Sequence, residues 1–217
     1  MKHQELISRT IAFVKKELAN AEGGNDWFHI ERVYKNSLLI SKTEAVDLLV
    51  TSLGALLHDI ADSKFHHGDE TVGPKKARQF LEAENVSEEI ILHVINIIEN
   101  ISYKGGNRVQ KFNSKELAVV QDADRLDAIG AIGIARAFNY GGFKNRKLYD
   151  PEIASNLTMS PSEYKASTAP TINHFYEKLL LLKDKMNTQT GKQIAQKRHE
   201  YMEGFLKQFY GEWSGKL

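Results

Sequence analysis

The sequence predicts an all-α fold, a single compact multi-helix bundle spanning residues 1–217. Three observations predict it. Only four prolines occur, long segments place apolar residues at helical rather than alternating spacing, and no internal repeat or low-complexity tract interrupts them.

Residues 5–20 set Leu6, Ile7, Ile11, Phe13, Val14 and Leu18 on one broad stripe. Gly23-Gly24 ends that helix, and Asn25 or Asp26 can cap the next, whose buried face would use Phe28, Val33, Leu38 and Ile40. The segment Ala45 to Ala61 is apolar on nearly all sides, as a helix through the middle of a bundle must be. Polar, glycine-bearing residues 62–74 read as a loop. Helices are expected over 75–83 and from Ser87 to Ile101, and a second loop over 102–113. One long helix follows over 115–138, eased by Gly130 and Gly133. From Gly141-Gly142 to about 169 the chain is polar and irregular, longer than the ~12–15 residues of ordinary loops, which marks it as a lid or insertion. Two helices close the chain, over 171–186 and 190–210.

Composition removes several function classes. Lys and Arg number 29 against 28 Asp and Glu, a near balance that gives no basic footprint for nucleic acid. Cysteine is absent, so disulfides, thiolate metal ligands and cysteine nucleophiles are excluded, and any metal must be held by nitrogen and oxygen. No apolar run approaches the ~20 residues that span a bilayer, and the charged first stretch lacks a signal-peptide core. A cytoplasmic protein without membrane contact is the expectation.

Three clusters carry chemistry. His58-Asp59 ends the most apolar segment, where an ionisable pair costs several kcal/mol unless compensated, as a divalent cation would do. His29 sits one helix earlier, in DWFHIERV. Asp122, Asp124 and Asp127 crowd the run VVQDADRLDAIGAIG, and capping explains only one of them. Two imidazoles and two carboxylates would hold one divalent cation and leave positions open for water and substrate, as a catalytic metal needs. Spacing alone leaves Asp122 and Asp124 equal candidates for the second carboxylate.

The order of these residues, with HIERV around His29, LLHDIAD around His58 and ADRLDA around Asp124, resembles the HD superfamily of metal-dependent phosphohydrolases. The later stretches IGAIGIARAF and INHFYEKLLLLKDKM look like its small stand-alone bacterial members, so the resemblance covers most of the chain.

That resemblance implies His29, His58, Asp59 and Asp124 as metal ligands, with Asp122 supporting them and Asp127 as a cap or a partner for Arg125. The implied cofactor is one divalent ion, Mn before Mg, Co, Ni, Fe or Zn. Asp62, four residues after His58, is implied as the general acid or base. Arg32, Lys64 and Arg125 flank proposed ligands and suit phosphoryl oxygens. His66 is a substrate contact, and Lys178, Arg198 and Tyr201 could line a substrate mouth. His93, His174 and His199 read as structural. The implied substrate is a small nucleotide, with a nucleoside triphosphate cleaved to monophosphate and pyrophosphate as the favoured reaction. A 5′-nucleotidase, a phosphodiesterase, a non-catalytic nucleotide-binding regulator or a di-iron oxygenase are the rivals. A homodimer is compatible with the sequence.

Overall fold

A computed structural model describes residues 2–19, 26–61, 69–101 and 112–217. Its elements are α1 (Lys2–Glu17), α2 (Trp27–Ile40), α3 (Leu48–Leu57), α4 (Val72–Ala83), α5 (Glu88–Asn100), α6 (Lys115–Asp127), α7 (Gly130–Phe143), α8 (Pro161–Ala166), α9 (Thr171–Glu177), a 3-10 helix (Leu179–Lys185) and α10 (Gln189–Trp213). No strand occurs among the described residues, as an all-α fold requires. The chain divides into two compact units, and the division falls inside α6, between Asp124 and Arg125.

In the first unit α3 is the central helix. Every residue from Val50 to Leu57 is buried, and α1, α2 and α5 pack around it while α4 lies on α5. Gly54 permits the close approach to α5, since a Cβ there would stand 3.1 Å from the Ile97 side chain. The helix is shorter than its apolar segment. Asp47 stops it on the N-terminal side by accepting from the amides of Leu49 and Val50, at 2.8 and 3.0 Å. His58 is its C-cap, so His58 and Asp59 stand in the turn that follows and not on a continuing helix. On α2 the buried face is His29, Ile30, Val33, Ser37 and Ile40. Phe28, expected inside, is 61% exposed because it lies one residue off that stripe.

The second unit corrects three expected boundaries. The helix expected over 115–138 is two helices, because the chain turns at Ala128 and Ile129 and Gly130 adopts φ +75°, a conformation that favours glycine. Gly141 and Gly142 belong to α7 and do not open a loop. A Cβ on Gly141 would overlap Thr171 Oγ1, so this glycine serves close helix packing. The segment expected as one helix over 171–186 changes at Lys178, from α9 to the 3-10 turn.

Residues 144–160 carry turns, and they are tied to α9. The Thr171 and Ile172 amides donate to the carbonyls of Lys147 and Leu148, at 2.9 and 3.0 Å. Asn173 Nδ2 donates to the Ile153 carbonyl at 3.0 Å, and the Asn156 amide donates to Glu177 Oε1 at 3.1 Å. Phe138, Phe175, Phe205 and Phe209 form an aromatic cluster in this unit, in which Phe175 is fully buried.

Candidate metal centre

One helix start and two helix ends deliver the site, all within the first unit. Asp26 caps α2, and its carboxylate accepts from the His29 amide at 3.0 Å, which fixes His29 in the first turn. His58 and Asp59 stand where α3 ends. Asp124 is carried by α6, whose own start is capped by Ser114 Oγ, an acceptor for the Leu117 amide at 3.0 Å. Two contacts register α6 against its neighbours. Glu116 Oε1 accepts from the Asp47 amide at 2.9 Å, and Gln121 Nε2 donates to the Asn100 carbonyl at 2.9 Å.

These supports bring His29, His58 and Asp59 together, with one ligand atom from each within 4.8 Å of the others. Asp124 Oδ1 lies 3.5 Å from His29 Nε2 and 3.9 Å from His58 Nε2. The two imidazole rings meet edge on, with centroids 5.3 Å apart. Both histidine side chains are nearly enclosed, at 3% and 4% exposure, whereas Asp124 keeps 35%. Asp122, one pair of residues earlier on α6, is fully buried.

One hydrogen bond tests whether this set suits a cation. His58 Nδ1 lies 2.8 Å from the Ala55 carbonyl. A carbonyl only accepts, so Nδ1 carries the proton and the lone pair of the neutral ring sits on Nε2, the atom turned toward Asp124. Such an outer contact orients a metal-binding imidazole. Nitrogen and carboxylate donors without sulfur suit a hard or borderline divalent ion. The residues fit a metal.

The family comparison agrees with the geometry. The HD domain family matches residues 27–129, the segment that holds all four residues. Over its whole length the chain is similar to a crystal structure of an HD-superfamily hydrolase from Bacillus thuringiensis, with 45% identity, 98% of each chain covered and a TM-score of 0.78.

This chain belongs to the HD superfamily of metal-dependent phosphohydrolases.

The chain is also similar to two further bacterial proteins. YpgQ of Bacillus subtilis is 36% identical over 211 residues, covering 96% of this chain and 94% of YpgQ. The crystal structure of YpgQ in complex with ADP matches with a TM-score of 0.78, 33% identity and coverage of 98% and 97%. A Lactobacillus plantarum crystal structure gives 36% identity and the same TM-score, over 97% and 98% of the two chains.

Not every expected residue is brought to this centre. Asp62, Lys64 and His66 lie outside the described residues. Arg32 stands on α2, three residues beyond His29. Arg125 Nη1 donates to the Lys185 carbonyl at 2.5 Å, within the second unit. Asp127, expected as a cap or a partner for Arg125, pairs with Arg136 at 2.5 Å. Lys178 places Nζ over the Tyr164 ring, 5.9 Å from its centroid. His93 meets Ser114 and Glu116, at 3.0 and 3.4 Å, and His199 meets Glu203 at 3.2 Å.

Sequence reasoning missed the Ala55 carbonyl, which a residue-type search passes over because a backbone oxygen has no letter. It also missed Asp47. That residue carried a readable signal, an acid directly before an apolar run.

Proposed function

We propose that this chain hydrolyses nucleoside triphosphates to the monophosphate and pyrophosphate. The observation that carries a hydrolytic reading is the His58 lone pair on Nε2, held there by Ala55 and set beside Asp124 and His29. The ADP held by YpgQ supports a nucleotide as the substrate.

In this proposal His29, His58, Asp59 and Asp124 hold one divalent cation, manganese by preference. When bound, such an ion supplies Lewis acidity and counter-charge for a phosphoryl group and its attacking water. Asp122, fully buried, helps hold the last turns of α6 in register. Asp62 takes the proton from the water that attacks the α-phosphorus, and the bond from that phosphorus to the bridging oxygen breaks. Arg32 and Lys64 hold the phosphate chain and balance the charge that grows on the leaving pyrophosphate. His66 completes the substrate contacts.

The test is product analysis with manganese-loaded protein across nucleoside mono-, di- and triphosphates. The proposal expects pyrophosphate and monophosphate in equal amounts from triphosphates. Inorganic phosphate released from monophosphates, with triphosphates left intact, would replace this reading by a 5′-nucleotidase.

A further inference from the structure

His93, on α5, packs against three residues that lead into α6. Its ring meets that of Phe112 edge on, with centroids 5.5 Å apart. Its Nε2 lies 3.0 Å from Ser114 Oγ and 3.4 Å from Glu116 Oε2. Ser114 Oγ also accepts from the Leu117 amide, so this imidazole grips the capped first turn of α6.

Glu116 uses both of its carboxylate oxygens. Oε1 accepts from the Asp47 amide at 2.9 Å, and Oε2 faces His93. One side chain of α6 therefore joins the start of α3 to α5. Only 12% of that side chain is exposed, so these partners replace much of the water a carboxylate would otherwise hold. An acid in a first turn also suits the helix dipole. The dipole, however, acts on charge, whereas the Asp47 amide requires an acceptor at one place.

That place matters because α3 and α6 meet again at the metal centre. From Asp47 to His58 the chain rises about 16 Å, and from Glu116 to Asp124 about 12 Å. The two helices are thus joined at both ends, Asp47 to Glu116 at one and His58 beside Asp124, 3.9 Å apart, at the other. A metal ligand must sit within about 0.2 Å of its proper distance. A slip of α6 by a quarter of its ~1.5 Å rise per residue already exceeds that tolerance.

Building on the four-residue centre proposed above, we infer that Glu116, clamped by His93 and Ser114, is a positioning residue for the cation. It is not itself a ligand. It fixes α6 along α3 and so sets the distance from Asp124 to His58. Its carboxylate acts here as a hydrogen-bond acceptor and not as a charge.

The experiment uses the full chain, stripped of metal with a chelator. Manganese is titrated by calorimetry and cobalt(II) by visible absorption, while circular dichroism reports the fold of each variant. Glu116→Ala should bind manganese about tenfold more weakly, the lower end for residues that orient ligands, and its cobalt bands should shift. Glu116→Gln keeps an oxygen for the Asp47 amide and should recover most of the affinity and the parent spectrum. Ala77→Gly weakens α4 in the same unit, outside these contacts, and should leave both readings unchanged. His93→Ala releases the clamp without altering α6, should weaken binding in the same direction, and decides the matter if Glu116→Ala does not fold. Parent-like affinity and spectrum in Glu116→Ala or in His93→Ala would overturn the inference. Equal losses in Glu116→Gln and Glu116→Ala would overturn it too, by pointing to charge alone. So would an equal loss in Ala77→Gly, by pointing to stability alone. A parent chain that binds neither ion overturns the metal centre, and this role falls with it.

Discussion

His58 gives its Nδ1 proton to the carbonyl of Ala55, three residues earlier, across 2.8 Å. The α3 helix thereby uses one of its own last carbonyls to aim an imidazole. The same residue that ends the helix thus presents Nε2 to Asp124. The aim requires no other side chain, so the histidine depends on where α3 stops. That stop is reproducible because Asp47 fixes the start and apolar burial fixes the rest.

The first prediction separates holding the metal from moving the proton. Asp62→Asn should bind manganese as the parent protein does and lose roughly 10²–10⁴-fold in turnover, the range for a general acid or base. Calorimetry and single-turnover rates read the two properties separately. An unchanged rate removes Asp62 from the reaction.

A second prediction concerns the acid just past the centre. Asp127 is 1% exposed and pairs with Arg136 at 2.5 Å. Arg136→Ala removes one of the cations that face this carboxylate, Arg198 being another, and should cost about 1–3 kcal/mol by urea unfolding. Replacing both residues by apolar ones of similar volume should recover most of the loss. A single variant as stable as the parent would show that the pair does not matter to folding.

Two neighbouring glycines should answer differently to the same change. A Cβ on Gly141 would meet Thr171 Oγ1 at overlap distance, whereas one on Gly142 meets nothing within 4 Å. Gly141→Ala should therefore destabilise by about 1–3 kcal/mol through overpacking. Gly142→Ala should be neutral or slightly stabilising, since alanine suits a helix better. Equal melting temperatures for the two variants would contradict the close approach of α7 and α9.

Stability should also depend on pH through His174. Burial first, then Lys178 and Arg146, lower its pKa in the fold from 6.5 to about 4. Between those values the unfolded chain binds a proton that the folded chain refuses. This contribution is therefore complete above pH 6.5 and is lost as pH falls toward 4, by up to about 3 kcal/mol. Urea midpoints across that window check it. In His174→Gln the slope should flatten, and an identical slope would rule out this source.

Much of the fold was legible because helical periodicity and capping acids are local signals. The stripes of α1 and α5 and the apolar wrap of α3 follow directly from residue order. The break between α6 and α7 was not legible as a break. Gly130 reads as a small residue in a helix, and only the Arg198 side chain, 3.0–3.2 Å from where a Cβ would stand, shows how tightly that turn is packed. Gly141 misled in the opposite direction, because a glycine required for helix contact carries the same letter as one that opens a loop. At the site, the residue types and their order were visible, and the family resemblance favoured Asp124 over Asp122. The Asp127–Arg136 pair was hidden because it joins residues across a turn that the sequence does not announce.

The central claim is that His29, His58, Asp59 and Asp124 jointly hold one cation. Calorimetric titration of chelator-stripped protein with manganese tests it most directly, using His58→Ala and Asp124→Asn beside the parent and circular dichroism to confirm that both stay helical. The account predicts one ion per parent chain and no measurable binding in either variant. Undiminished manganese binding in both would contradict it.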